Sequence, residues 1–170
     1  MHQLKPFEDF PDNTRLWVYG FEAALDDRMK NKVVDQLRRF LTEWRAHGVP
    51  VDGAYSMLHD RFVFLAGRCN DGISGCSIDS SVKSFKELKK KYDIDALNRS
   101  LVFFRSVDGT IESLGRVEFQ AEVDAGRITD TTVVFDLTIQ TLGDLREGRF
   151  DTTFGDCWHA RVFHARKRTA

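Results

Sequence analysis

The run Gly72-Ile73-Ser74-Gly75-Cys76-Ser77-Ile78-Asp79-Ser80-Ser81 holds the residues best placed to do chemistry. It is small, polar and glycine-hinged. It lies between a β-type apolar segment, residues 61–66, and an amphipathic helical pattern that begins near Ser80. A strand that passes through such a loop into a helix start presents several backbone N–H groups where the helix dipole favours negative charge. Two chemistries follow. Ser74, Gly75, Ser77 and Asp79 could form a ligand-binding site for a small anionic ligand or for the acidic group of a protein partner. Alternatively, Cys76 beside a helix N-terminus would hold more thiolate at neutral pH. It could then serve as a nucleophile, with His47 as general base and the loop amides as an oxyanion hole. Plainer roles stand beside these. Cys76 fits a small core residue, His47 a cation over the carbonyl end of its helix, and Ser77 and Asp79 helix caps.

The elements that would position these residues follow from hydrophobic periodicity. Residues 16–21 read as strand one. Asp26 or Asp27 caps a helix whose apolar stripe is Met29, Val33, Leu37, Phe40, Leu41 and Trp44, at steps of four and three. That pattern places His47 in the last turn, Gly48 as a stop and Pro50 as a barrier to continuation. Residues 53–58 and 61–67 read as strands two and three, joined by a tight turn at His59-Asp60. The second helix turns Val82, Phe85, Leu88 and Tyr92 inward, with Lys83, Lys86, Lys90 and Lys91 outward as a solvated face. Residues 100–105 read as strand four. The order β-α-β-β-α-β is that of a ferredoxin-like split βαβ unit, with strand order 4-1-3-2 and an α+β class. It brings the end of the first helix and the 72–79 loop to one pole. Residues 1–14 read as an extended arm, 15–107 as the ferredoxin-like core, and 108–170 as a C-terminal α/β extension or small subdomain packing on it. In that extension the pattern predicts a strand near Ile111, a helix over 116–125 stopped by Gly126, a strand over 132–137 and a helix near 158–163.

Totals exclude several classes. A chain of 170 residues with 42% hydrophobic content and a formal net charge of −1 is long enough for a sizeable core. That balance argues against a dedicated nucleic-acid or membrane-surface binder, although a local basic patch remains open. No apolar run approaches a membrane span, and the first twenty residues lack a signal-peptide pattern. Cys69, Cys76 and Cys157 are few and odd in number, which fits a reducing cytoplasm. Cys69 and Cys76 are spaced too widely for a metal knuckle, and Cys157 with His159 has no matching second pair, so neither metal nor cofactor is expected. Trp17 and Tyr19 on strand one, with Phe62 and Phe64 on strand three, distantly suggest an RNA-stacking sheet face. Asp60-Arg61 and Gly67 break that motif, and an aromatic sheet face is expected to be covered by residues such as Phe119, Val133, Phe135, Phe154 and Trp158. Oligomeric state is left open.

The stretches Glu43-Trp44-Arg45-Ala46-His47-Gly48, Asp60-Arg61-Phe62, Ser74-Gly75-Cys76-Ser77-Ile78-Asp79-Ser80-Ser81-Val82 and Trp158-His159-Ala160-Arg161 together resemble a group of small bacterial proteins with an SGCSID motif. Members of that group are often labelled "ABC transporter ATPase". The label has no support here, because G-x-x-x-x-G-K-[ST] occurs nowhere in the chain. The resemblance implies a cytoplasmic bacterial protein. The part after Asp108 also resembles small GYF-like peptide-binding modules. The first expectation is a binding or regulatory module, with the thiol enzyme second and RNA binding third.

Overall fold

A computed structural model describes the backbone of residues 6–69 and 75–164, and the side chains of 6–69 and 80–164. In chain order the elements are β1 (Arg15–Gly20), α1 (Asp27–Glu43), β2 (Arg45–Ala46), β3 (Val49–Pro50), β4 (Asp52–Leu58), β5 (Phe62–Arg68) and α2 (Gly75–Tyr92), followed by β6 (Leu101–Arg105), β7 (Ile111–Gly115), α3 (Arg116–Asp124), β8 (Val133–Phe135), α4 (Leu142–Arg146), β9 (Asp151–Thr153) and α5 (His159–Val162). The class is mixed α+β, built on small antiparallel sheets. The chain divides into two compact units, one within residues 1–98 and 137–147, the other within 99–136 and 148–170. This partition differs from the expected boundary at 107: residues 99–107 belong to the second unit, and residues 137–147 return to the first.

In the first unit β5 lies between β1 and β4, antiparallel to both. That is the expected 1-3-2 arrangement of the first three strands. The fourth place differs. Leu16 N donates to the Gln140 carbonyl at 2.8 Å, and Arg15 bridges Thr141, so residues 140–141 flank β1. The expected fourth strand, β6, pairs instead with β7 and β8 in the second unit. The cause is local. Asp108 accepts from Ser106 Oγ at 2.6 Å and Thr110 N at 2.9 Å, which closes a tight β6–β7 turn. With β7 on one edge of β6 and β8 on the other, no edge of β6 is left for β1.

The sheet register also settles the aromatic residues. Trp17 and Tyr19 oppose Leu65 and Val63, whereas Phe62 and Phe64 oppose Gly20 and Val18. The two aromatic pairs therefore occupy opposite faces. All four rings are buried, so neither pair offers bases an open stacking platform. The N-terminal arm is tied down as well. Phe7 and Phe10 are buried edge to face, and Arg146 donates to both of their carbonyls, at 2.9 and 2.8 Å.

Helix α1 begins where expected, with Asp26 accepting from Met29 N at 2.7 Å. It ends earlier than expected, at Glu43, with Trp44 already extended. Trp44 is 1% exposed, and its indole lies across the cross-strand glycine pair Gly53 and Gly67. His47 and Gly48 then form the two-residue turn of the β2–β3 hairpin, with φ of 51° and 84°. Positive φ at both positions is what such a hairpin turn requires. His47 is thus a turn residue and not a helix cap. A Cβ added at Gly67 would meet Trp44 Cη2 at 2.5 Å. G67A is therefore expected to lower stability by about 1–3 kcal/mol through overpacking. Urea denaturation reads this directly, and an unchanged midpoint would mean that the indole has room to move.

The second unit carries the sheet β7-β6-β8-β9. Phe119 and Phe154 lie in its own core with Phe104, Val134, Cys157 and Phe163. Its strand near Ile111, its helix stopped by Gly126 (φ 72°) and its last helix stand close to where periodicity put them.

Candidate functional site

Helices α1 and α2 pack side by side, and the end of each meets the start of the other. The seam between them is polar. Gln36 Nε2 donates to Ser84 Oγ at 3.2 Å and to Glu87 Oε2 at 3.0 Å, while Arg39 donates to Gln36 Oε1 at 3.2 Å. Tyr19 Oη and Ser81 Oγ are 2.7 Å apart, and the Tyr19 ring stacks on Phe85. Ser81, Ser84, Phe85 and Leu88, at steps of three, one and three, form the buried face of α2. The two serines are tolerated there because each hydroxyl has a partner. Tyr92, expected inward, is exposed.

Where α1 stops and α2 starts, a groove of about 330 Å³ opens. Arg39, Arg45 and Lys83 line it, together with Glu43 and Glu87, over Phe40 and Trp44. Arg45 also donates to the Thr42 carbonyl at 3.2 Å and the Trp44 carbonyl at 3.0 Å. It thereby performs at the end of α1 the capping that periodicity assigned to His47. The Trp44 Nε1–H is buried and has no hydrogen-bond acceptor among the described residues.

The expected site residues distribute unevenly. Helix α2 starts at Gly75, five residues before the expected Ser80. Gly75, Cys76, Ser77 and Asp79 are therefore helical, not part of a loop. The side chains of Cys76, Ser77 and Asp79 lie outside the described residues, as does Ser74 altogether. His47 is exposed at the hairpin tip and does not line the groove. Arg39, Arg45, Lys83 and Gln36 were not singled out by sequence reasoning. Arg39 and Lys83 read as outward faces of separate helices, and only the helix pairing shows that they face one another's element.

Comparisons with protein-family models, with curated proteins and with solved structures found no match. The reading of this site rests on its own residues.

A second chemistry-bearing cluster lies in the other unit. Cys157 Sγ is 2.9 Å from His159 Nδ1, His159 stacks on Trp158 with centroids 4.0 Å apart, and Trp158 Nε1 donates to Asp136 Oδ1 at 3.0 Å. Burial pushes the Cys157 thiol up and holds the His159 imidazole down to about 4. Both are neutral at pH 7, so the pair is not an activated thiolate. Among the described residues there is no group of three or more His, Cys, Asp or Glu able to hold a metal. The pair is a satisfied hydrogen bond inside an aromatic core.

Proposed function

We propose that this chain is a binding or regulatory module that takes a small anion, or the acidic group of a partner, at the end of the helix pair where α1 stops and α2 starts. One observation carries the reading: Arg39, Arg45 and Lys83 line a single groove together with residues from the N-terminal half of α2. The opening amides of a helix have no intrahelical acceptor, and the dipole favours negative charge beside them. Gly75, Cys76 and Ser77, the first residues of α2, supply such amides. Asp79 is the fifth helical residue, so its N–H is not among the opening amides. Of the two acidic lining residues, Glu87 is already engaged by Gln36.

The path β1-α1-β4-β5-α2 and the order β1-β5-β4 support a ferredoxin-like plan in which residues 140–141 stand beside β1 in place of the fourth strand. Cys69 and Cys157 form no disulfide, which accords with a reducing cytoplasm. No helix among the described residues is long and apolar enough to cross a membrane.

Calorimetric titration of the full chain with an acidic peptide at low ionic strength tests the proposal. Saturable one-to-one binding is expected, weakened roughly tenfold or more in R39E/K83E, whose cooperative thermal transition shows that it folds. Absence of saturable binding, or equal affinity in wild type and variant, would remove this function.

A further inference from the structure

The opposite end of the same helix pair has a different character. There the start of α1 meets the end of α2 around a cleft of about 630 Å³. Arg28, Lys32, Lys90 and Lys91 line it, and none of these four has a carboxylate at ion-pair distance among the described residues. Lys89 is engaged by Asp95 at 2.5 Å. Lysines in the last turn of α2 are explained by the helix dipole, which favours cations at a C-terminus. Arg28 and Lys32 are not. Arg28 stands in the first turn of α1, where the same dipole disfavours positive charge, and Lys32 follows one turn later, beyond the reach of either helix end. The cleft also exposes apolar surface. Met29, which belongs by spacing to the buried stripe of α1, is 42% exposed, and Tyr92 is 39% exposed with Lys32 Nζ 5.2 Å from its ring centroid.

We propose that this cleft is a second binding site, specific for a multiply phosphorylated small molecule that carries an aromatic ring, the chemistry of a nucleoside polyphosphate. Cations converge on it from two helices, and a polyphosphate supplies the several negative charges that four such groups can share. Tyr92 and Met29 offer an apolar platform for the ring. The volume lies within the usual range of small-ligand sites. Asp26 and Asp93 also line the cleft. Asp26 is turned to the Met29 amide as a helix cap, and Asp93 occupies the left-handed position that ends α2 (φ 56°). The site is separate from the groove at the other end of the helices, and its residues do not overlap with those lining that groove.

Titration of the full chain with adenosine triphosphate, inorganic tripolyphosphate and a single-stranded oligonucleotide at low salt tests the assignment. The expected result is saturable binding of the nucleotide, tighter than that of tripolyphosphate. R28E/K32E and K90E/K91E should each weaken it roughly tenfold or more. Y92A should reduce nucleotide affinity several-fold while leaving tripolyphosphate affinity unchanged. All variants are on the surface, and their thermal midpoints report whether they fold. The assignment is overturned if no triphosphate binds saturably. It is equally overturned if R39E/K83E abolishes the binding while the cleft variants do not, or if the oligonucleotide binds far more tightly than the nucleotide.

Discussion

Replacing Trp44 with alanine is expected to lower the stability of the chain by about 3–5 kcal/mol, the largest effect of any single substitution considered. The indole is 1% exposed. It stands edge to face with Trp17, centroids 5.6 Å apart, and tilted on Phe40 at 4.8 Å. Below it lie Gly53 and Gly67, paired across β4 and β5. A glycine pair leaves no side chain to fall into the space once the ring is gone, so the cavity would stay open. This makes a sharper test possible. G67A is harmful in the wild type because the new methyl meets the indole. In the W44A background the indole contacts are gone and the nearest remaining contact of the methyl is Val51 Cγ1, at 3.1 Å, so G67A is expected to cost much less than in the wild type. A double-mutant cycle should give a coupling of about 1–3 kcal/mol. Additive losses would show that Trp44 and Gly67 do not share the packing described.

The second large effect is a loss of stability in mild acid traced to His159. This residue is 3% exposed, in contact with Trp158, Phe119 and Phe163, and burial holds its imidazole down to about 4. In the unfolded chain the group titrates near its ordinary value of about 6.5. Between these two values the unfolded state binds more protons than the folded one. Stability is therefore fully present above pH 6.5 and falls as the pH drops towards 4. The full loss attributable to this residue is about 3 kcal/mol. Urea midpoints for wild type and H159Q at pH 7, 6, 5 and 4.5 separate it from the carboxylates, which titrate in both. The wild-type curve should fall more steeply, and parallel curves would contradict the burial of a neutral imidazole.

Much of the scaffold was legible in the chain itself. Val33, Leu37 and Trp44 are buried as their spacing required, the Asp26 cap is in place, and His59-Asp60 turns the β4–β5 hairpin with positive φ at both residues. The misses have identifiable causes. The extended stretch containing β6 reads as a strand wherever it pairs, and periodicity carries no information about its partner. The seam of Gln36, Ser84 and Glu87 joins residues about fifty positions apart, each of which reads alone as a solvent-facing polar group. Their burial follows from satisfying one another. Gly48 and Pro50 suit the end of a helix with His47 in its last turn. The same residues equally suit a hairpin, and the buried indole of Trp44 decides between the two. Met29 fits the apolar stripe but lies at the cleft end of α1, where no further core residue covers it.

Both ends of the helix pair can be followed in one experiment. Amide chemical shifts of the isotope-labelled full chain, recorded during titration with inorganic phosphate at low ionic strength, address the anion-binding role at the groove directly. The account predicts saturable shifts in Gly75, Cys76 and Ser77 together with Arg39, Arg45 and Lys83. If these amides stay fixed while shifts elsewhere grow without saturating, the groove is not an anion site.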